Sequence, residues 1–269
     1  VEPFFKLLML LEKITSLQNS RVKRLVQLQS RSSERLHAGV FVVEGVRELE
    51  RCSAAGLEIE EVYFCPNILP ELPTLACNNI YEVTLPVYEK IAYRGGTEGI
   101  VGVVRTRYLD LTDLEMGGNP LIVVLESVEK PGNLGAVLRS ADAASATAVI
   151  VCDPLTDLYN PNLVRSSTGA IFSVPCVACS SEECIAFLKQ HGVTILTAQL
   201  QDSHLYYDTP MTGPTAIVMG TEATGLTEVW RHAADAHIRI PMQGTVDSLN
   251  VSVSAAILLY EAVRQRHTH

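Results

Sequence analysis

The sequence predicts an α/β protein in two parts. The larger, C-terminal part should be a mostly parallel sheet with helices on both faces, and a smaller α/β domain should precede it. Three observations lead there. From Leu121 onward, short apolar runs alternate with segments of helical period, the pattern of strand–helix units that build parallel sheets. The leading run, Leu121-Ile122-Val123-Val124-Leu125, is apolar at every position, as a strand covered on both faces must be. Ahead of it, Arg105 to Pro120 has no apolar periodicity and contains Gly117-Gly118-Asn119-Pro120. It reads as a linker over 106–119 between domains at 1–105 and 120–269.

In chain order, residues 1–12 suggest an extra packed helix. Asn19-Ser20 can cap a helix running to Leu28, with Val22, Leu25, Val26 and Leu28 inward. Ser30 to Arg35 is polar and basic. Val40 to Glu44 is rich in β-branched and aromatic residues and reads as a strand, followed by a helix from Val46 to Ala55. Further strands are expected at Glu61–Cys65, Ile80–Val83 and Ile100–Val104, with a short helix at Val87–Tyr93. In the second part, strands at 121–125, 148–152, 173–178, 193–197, 215–219 and 236–240 alternate with helices at 134–146, 160–170, 181–190 and 226–234. A long apolar helix from Val251 closes the chain.

Composition narrows the function classes. With 269 residues and 47% hydrophobic content the chain is globular, and no apolar run approaches the roughly 18 residues of a membrane span. The run Phe4 to Leu11 is short and interrupted by Lys6, and Glu12 and Lys13 follow without a small-residue cleavage site. Seven scattered cysteines point to reduced thiols in a cytoplasmic setting. The single C-x-x-C, Cys176 to Cys179, has no second pair at zinc-ribbon spacing and lies in an apolar strand, so its thiols are expected in the core, with no metal. A net charge of −9 argues against a nonspecific nucleic-acid coat. The charge is uneven, however: Lys13 to Arg35 holds six basic residues and one acid, whereas 111–269 holds eight basic and sixteen acidic ones. Charge alone fits either a local polyanion contact or a solvated helix face.

Ligands of such sheets bind beyond the carboxyl ends of the strands, and three strand ends there carry suggestive loops. The first runs from Glu126 to Arg139, the second from Gly220 to Leu226 and the third from Ile240 to Ser254. No G-x-G-x-x-G or P-loop pattern occurs in them. Glu222 stands where the middle glycine of a dinucleotide loop would be and would repel a pyrophosphate. A dehydrogenase is excluded on this ground. A phosphate-free, cationic ligand such as S-adenosylmethionine fits better.

The three loops, in this order, resemble the signature motifs of the SpoU/TrmH family of RNA ribose 2′-O-methyltransferases, in the SPOUT superfamily. Asn133-Leu134-Gly135-Ala136-Val137-Leu138-Arg139 matches the first motif and Met219 to Leu226 the second. Ile240-Pro241-Met242 with Ser248-Leu249-Asn250-Val251-Ser252-Val253-Ser254 matches the third. Residues 13–105 are similar, through Asn19-Ser20-Arg21-Val22-Lys23 and Phe41 to Gly45, to the substrate-binding domain many members carry. The resemblance implies a deep C-terminal trefoil knot, a homodimer, S-adenosylmethionine as cofactor and RNA as substrate. Ribosomal RNA is favoured over transfer RNA because of the separate N-terminal module. A transfer-RNA 2′-O-methyltransferase, a base methyltransferase on the same fold and an inactive RNA-binding relative are the rivals.

The resemblance also distributes roles. Arg139 contacts the reacting ribose, either taking its proton or stabilising the developing alkoxide. A guanidinium is a poor base, with a pKa above about 12, which makes the first role physically awkward and leaves both open. Asn133 holds Arg139 and substrate, or simply caps its helix. Glu222 organises active-site hydrogen bonds, and Ser248 and Asn250 orient substrate and cofactor. Thr197, Gly220, Ile240, Met242 and Leu249 are expected around the adenosine, with Gly220 allowing close ligand approach. RNA contact is expected from Arg21, Lys23, Arg24, Arg31 and Arg35, with Arg47 as a lesser candidate.

Overall fold

The computed structural model describes residues 11–93, 97–221 and 224–267. The expected N-terminal helix falls largely on residues outside these. The chain divides into two compact units, 1–107 with Tyr159–Arg165, and 108–158 with 166–269.

The first unit holds strands β1 (Glu12–Ile14), β2 (Val40–Glu44), β3 (Ile59–Phe64), β4 (Ile80–Val83) and β5 (Ile100–Arg105), in the order β1-β4-β3-β5-β2. β5 runs antiparallel to both its neighbours, and β4 parallel to both of its own. Helix α1 (Ser20–Ser30) begins as expected: Asn19 Oδ1 accepts from the Arg21 amide at 2.8 Å, relieving one of the free donors at a helix start. Its Val22, Leu25 and Leu28 enter the core with Tyr63, Tyr88 and Val103. The polar stretch after it is helical, α2 (Ser32–Ala38), and ends on Gly39 at φ +63°, the left-handed cap that glycine adopts without strain. Helices α3 (Val46–Ala54) and α4 (Leu85–Ile91) complete the regular elements of this unit's N-terminal part.

The second unit is built on a seven-stranded sheet in which every pairing is parallel. Its strands are β6 (Leu121–Glu126), β7 (Ala148–Cys152), β8 (Cys176–Cys179), β9 (Thr194–Ala198), β10 (His204–Leu205), β11 (Thr215–Met219) and β12 (Ala236–Arg239), in the order β10-β12-β9-β11-β6-β7-β8. β6 and β11 lie side by side, and all their residues are buried. That is the double coverage their unbroken apolar runs require. Around the sheet lie α5 (Pro131–Ala143), α8 (Ser181–Gln190), α9 (Glu228–Ala233) and α10 (Val251–His267).

Local chemistry moves some boundaries. The helix expected over 160–170 is two short ones, α6 (Pro161–Ser166) and α7 (Ala170–Ser173). Thr168 at φ +48° and Gly169 at φ +88° break it, because left-handed backbone cannot continue a right-handed helix. The strand after them is correspondingly shorter at its start. The stretch read as a linker places Leu114 in the core of the second unit, with Leu109, Leu111 and Met116 packed against it. Its apolar residues were too irregularly spaced to show a period.

Candidate active site

Three strand ends converge on one cavity of about 330 Å³ in the second unit. Ala198 to Gln201 at the end of β9, Met219 to Thr221 at the end of β11, and Arg239, Ile240 and Met242 at the end of β12 form its walls, with Asp247 to Leu249 and Ser254 on the last side. A parallel sheet delivers all these loops to one edge, which is why ligand sites of such folds gather there.

Gly220 is set by the fold itself. A Cβ there would stand 2.3 Å from the backbone carbon and oxygen of Gly225, so only glycine lets the loop fold back on itself. The expectation tied this glycine to ligand approach; the chain's own backbone already demands it. Gly225 sits at φ +69° and its amide donates to the Thr221 carbonyl at 3.1 Å. Glu222 lies outside the described residues. A carboxylate that the sequence reading left without a role, Glu126, anchors this loop from the end of β6. It is buried, and it accepts from the Thr227 amide at 2.9 Å and the Thr227 hydroxyl at 2.6 Å. An acid directly after an unbroken apolar run was the available signal.

The third motif joins the first. Asn250 precedes α10, and its Oδ1 accepts from the Ser252 amide at 2.9 Å, capping the helix. The same side chain uses Nδ2 to donate to Asn133 Oδ1 at 3.2 Å. Asn133 is therefore not the cap of α5: Lys130 occupies that place, Pro131 starts the helix, and Asn133 sits in its first turn. A second, smaller cavity of about 140 Å³ is lined by Val128, Glu129, Lys130 and Asn133. It shares Gly220, Thr221 and Val251 with the first, so the two cavities adjoin.

Of the expected cofactor residues, Gly220, Ile240, Met242 and Leu249 line the main cavity, as does Ser248. Thr197 does not. It is fully buried, and its hydroxyl lies 2.6 Å from His237 Nδ1 on the neighbouring strand. The two are register partners on adjacent strands, so their side chains stand on one face of the sheet. Arg139 is exposed on α5 and lines neither cavity. Two residues absent from the expectations stand out: Gln199 Oε1 and Arg231 Nε are buried without a hydrogen-bond partner in side chains lining the main cavity.

The basic residues of the first unit separate into kinds. Lys23, Arg31 and Arg47 are exposed. Arg21 and Arg24 share Glu61 Oε1 at 3.2 and 3.3 Å, and the Arg21 guanidinium lies 4.4 Å from the centre of the Tyr81 ring. Arg35, expected at the RNA surface, is 3% exposed. Its guanidinium donates to the Leu28 carbonyl at 2.6 Å and reaches that of Gln29 at 3.4 Å. It satisfies the carbonyls that the end of α1 leaves open, which removes it from the surface.

An all-parallel sheet with a cavity across three strand-end loops defines a cofactor-type site with a second, smaller chamber beside it. The profile of the SpoU rRNA Methylase family matches residues 120–260, and that of the MRM3-like substrate binding domain matches residues 19–102. The chain belongs to the SpoU rRNA methylase family. It is 31% identical to the 23S rRNA (uridine(2479)-2′-O)-methyltransferase of Streptomyces viridochromogenes over 94% of this chain and 92% of that one. It is 35% identical to the 23S rRNA (guanosine-2′-O-)-methyltransferase RlmB of Vibrio parahaemolyticus over 70% of this chain and 78% of that one. Among solved structures, the AdoMet-bound rRNA methyltransferase from Sinorhizobium meliloti superposes with a TM-score of 0.85 at 28% identity, covering 94% of this chain and 98% of that one.

Proposed function

We propose that the protein transfers a methyl group from S-adenosylmethionine to a ribose 2′-hydroxyl of ribosomal RNA. One observation carries the reading: the cavity lined by Gly220, Ile240, Met242 and Leu249 adjoins a second chamber walled by Asn133, and Asn250 binds Asn133 from the start of α10. Two reactants can thus be held side by side, and methyl transfer is chiefly a positioning problem. The larger cavity takes the cofactor, with Ile240 and Leu249 against the adenine. The smaller takes the target ribose. Ser248, on the cavity wall, and Asn250 orient the two, and Arg139 stabilises the alkoxide as the proton leaves. Glu222 keeps the role of loop organiser. The named relatives act on 23S rRNA, which supports ribosomal over transfer RNA. The presence of Asn133, Arg139, Ser248 and Asn250 speaks for an active enzyme.

The reading includes a homodimer and a knotted C-terminal chain. Val253, Ile257 and Tyr260 recur at i, i+4 and i+7 on α10. Val253 and Tyr260 are 47% and 51% exposed. That spacing places one apolar stripe on one face of the helix, suited to a second copy related by two-fold symmetry.

The test is to map 2′-O-methyl groups in ribosomal RNA from cells with and without the protein, through the alkali resistance of the following phosphodiester. One ribose position should lose its methyl. Unchanged ribosomal and transfer RNA would sink the proposal.

A further inference from the structure

Three cysteines far apart in sequence meet at one end of the parallel sheet. Cys152 ends β7, Cys179 ends β8, and the two are register partners on adjacent strands. Cys184 comes from α8, which starts just beyond β8. The three sulfur atoms lie within 4.8 Å of one another, and none is in a disulfide. Among the described residues no other group of three metal-ligating side chains comes this close. None of the three lines the main cavity or its neighbour.

From these positions we propose that Cys152, Cys179 and Cys184 form a binding site for a soft, thiolate-preferring metal ion of the zinc class. The geometry suits it. Thiolates around tetrahedral zinc bind at about 2.3 Å, which puts their sulfurs a little under 4 Å apart, so the trio has only to close slightly. Cys179 is half-buried whereas Cys152 and Cys184 are buried. The fourth coordination position therefore opens toward solvent on the side of Cys179. The surrounding charge is also right for a cation. The carboxylates of Asp153 and Glu183 both bear on Cys179. Binding involves no redox step: the metal replaces the protons still held by the ligating thiols, which pass to solvent.

Cys176, the other half of the C-x-x-C pattern, is not a member. It is buried, its thiol is pushed up to about 12 by that burial, and it stands apart from the trio. A metal at the trio would clamp β7, β8 and α8 together at the rim of the sheet.

The experiment uses the full chain, reduced and stripped with a chelator, then titrated with Co²⁺ and with Zn²⁺. The expected result is one metal per chain, a thiolate-to-cobalt charge-transfer band that Zn²⁺ abolishes, and a higher thermal midpoint with metal. Cys179→Ser, at a partly exposed position that should not disturb folding, should lose the band and the metal-dependent shift. Cys152→Ala should do the same, and Cys176→Ser should keep both. No band in the reduced wild-type protein, or a band that survives Cys179→Ser in a protein of unchanged circular dichroism, would overturn the proposal.

Discussion

Arg139 sits exposed on α5, and its proposed work is done only when charge develops on the ribose oxygen. Arg139→Ala should therefore lower kcat by about 10²-fold or more while cofactor affinity, measured by calorimetry, stays near wild type. An equal loss of cofactor binding would place Arg139 in the wrong role. Asn250 is different, because one side chain caps α10 and joins it to Asn133. Asn250→Ala should cost about 1 kcal/mol of stability for the cap and in addition lower methyl transfer. Asn250→Asp should keep the cap but remove the donor to Asn133, so its loss should appear in activity alone. The asparagines, Ser248 and the arginine were legible as motif residues. That Asn133 is not a helix cap was not, because Pro131 two residues earlier had already started the helix. Nor could Arg35 be told from its neighbours: a basic residue in a basic stretch gives no sign that it will turn inward to helix-end carbonyls.

At the scale of elements, the loop after β11 is held by contacts of its own. Gly220→Ala would drive a Cβ into the Gly225 backbone. It should cost about 1–3 kcal/mol and abolish cofactor binding, which thermal unfolding and calorimetry would report together. The end of α10 is secured by Arg266. Its guanidinium donates to the carbonyls of Met211, Asn119, Pro120 and Gly213, at 2.7 to 3.1 Å. The C-terminal turn is thereby tied to the start of β6 and to the segment before β11. Glu261 on the same helix accepts from Arg264 at 2.7 Å and from Gln265 at 2.8 Å, and the Arg264 partner holds its carboxyl below the usual range. A lowered carboxyl pKa stabilises the folded state above the unfolded pKa of about 4.3 and is lost as the pH falls through the folded value. The thermal midpoint of wild type should exceed that of Glu261→Gln at neutral pH, and the gap should close in acid. A gap independent of pH would mean that packing, not charge, is at work. The helix itself was legible from its apolar run; its tethers were not, since they join residues more than fifty positions apart.

For the whole molecule, RNA binding and assembly are the measurable properties. Lys23 and Arg31 are exposed, whereas Arg21 and Arg24 already share Glu61. Reversing Lys23 and Arg31 to Glu should flatten the dependence of RNA affinity on salt, by roughly 0.7 in the log–log slope per lost contact to single-stranded RNA. Arg35→Glu should instead destabilise the first unit, because the charge is buried. An unchanged slope in the double variant would leave the basic arm as a solvated face. Val253→Asp with Tyr260→Asp should convert a dimer to a monomer in light scattering, if the exposed stripe of α10 is the interface. No helix among the described residues is long and apolar enough to cross a membrane.

What the amino-acid sequence determined by itself is the alternation of strands and helices, the parallel sheet, and three loops bearing the family's motifs. These are local in the chain: apolar period, turn residues and motif spacing are all read within a dozen positions. Only the tertiary structure decided which distant residues meet. It brought Asn250 to Asn133 across 117 positions, buried Thr197 away from the cavity, and set Glu126 under a loop 101 residues on. It also gathered Cys152, Cys179 and Cys184. The physical reason is the order of the sheet: β7 and β8 pair beside β6, while β11, β9 and β12 return on its other side. Which strand ends become neighbours is a property of that order, and no window along the chain contains it.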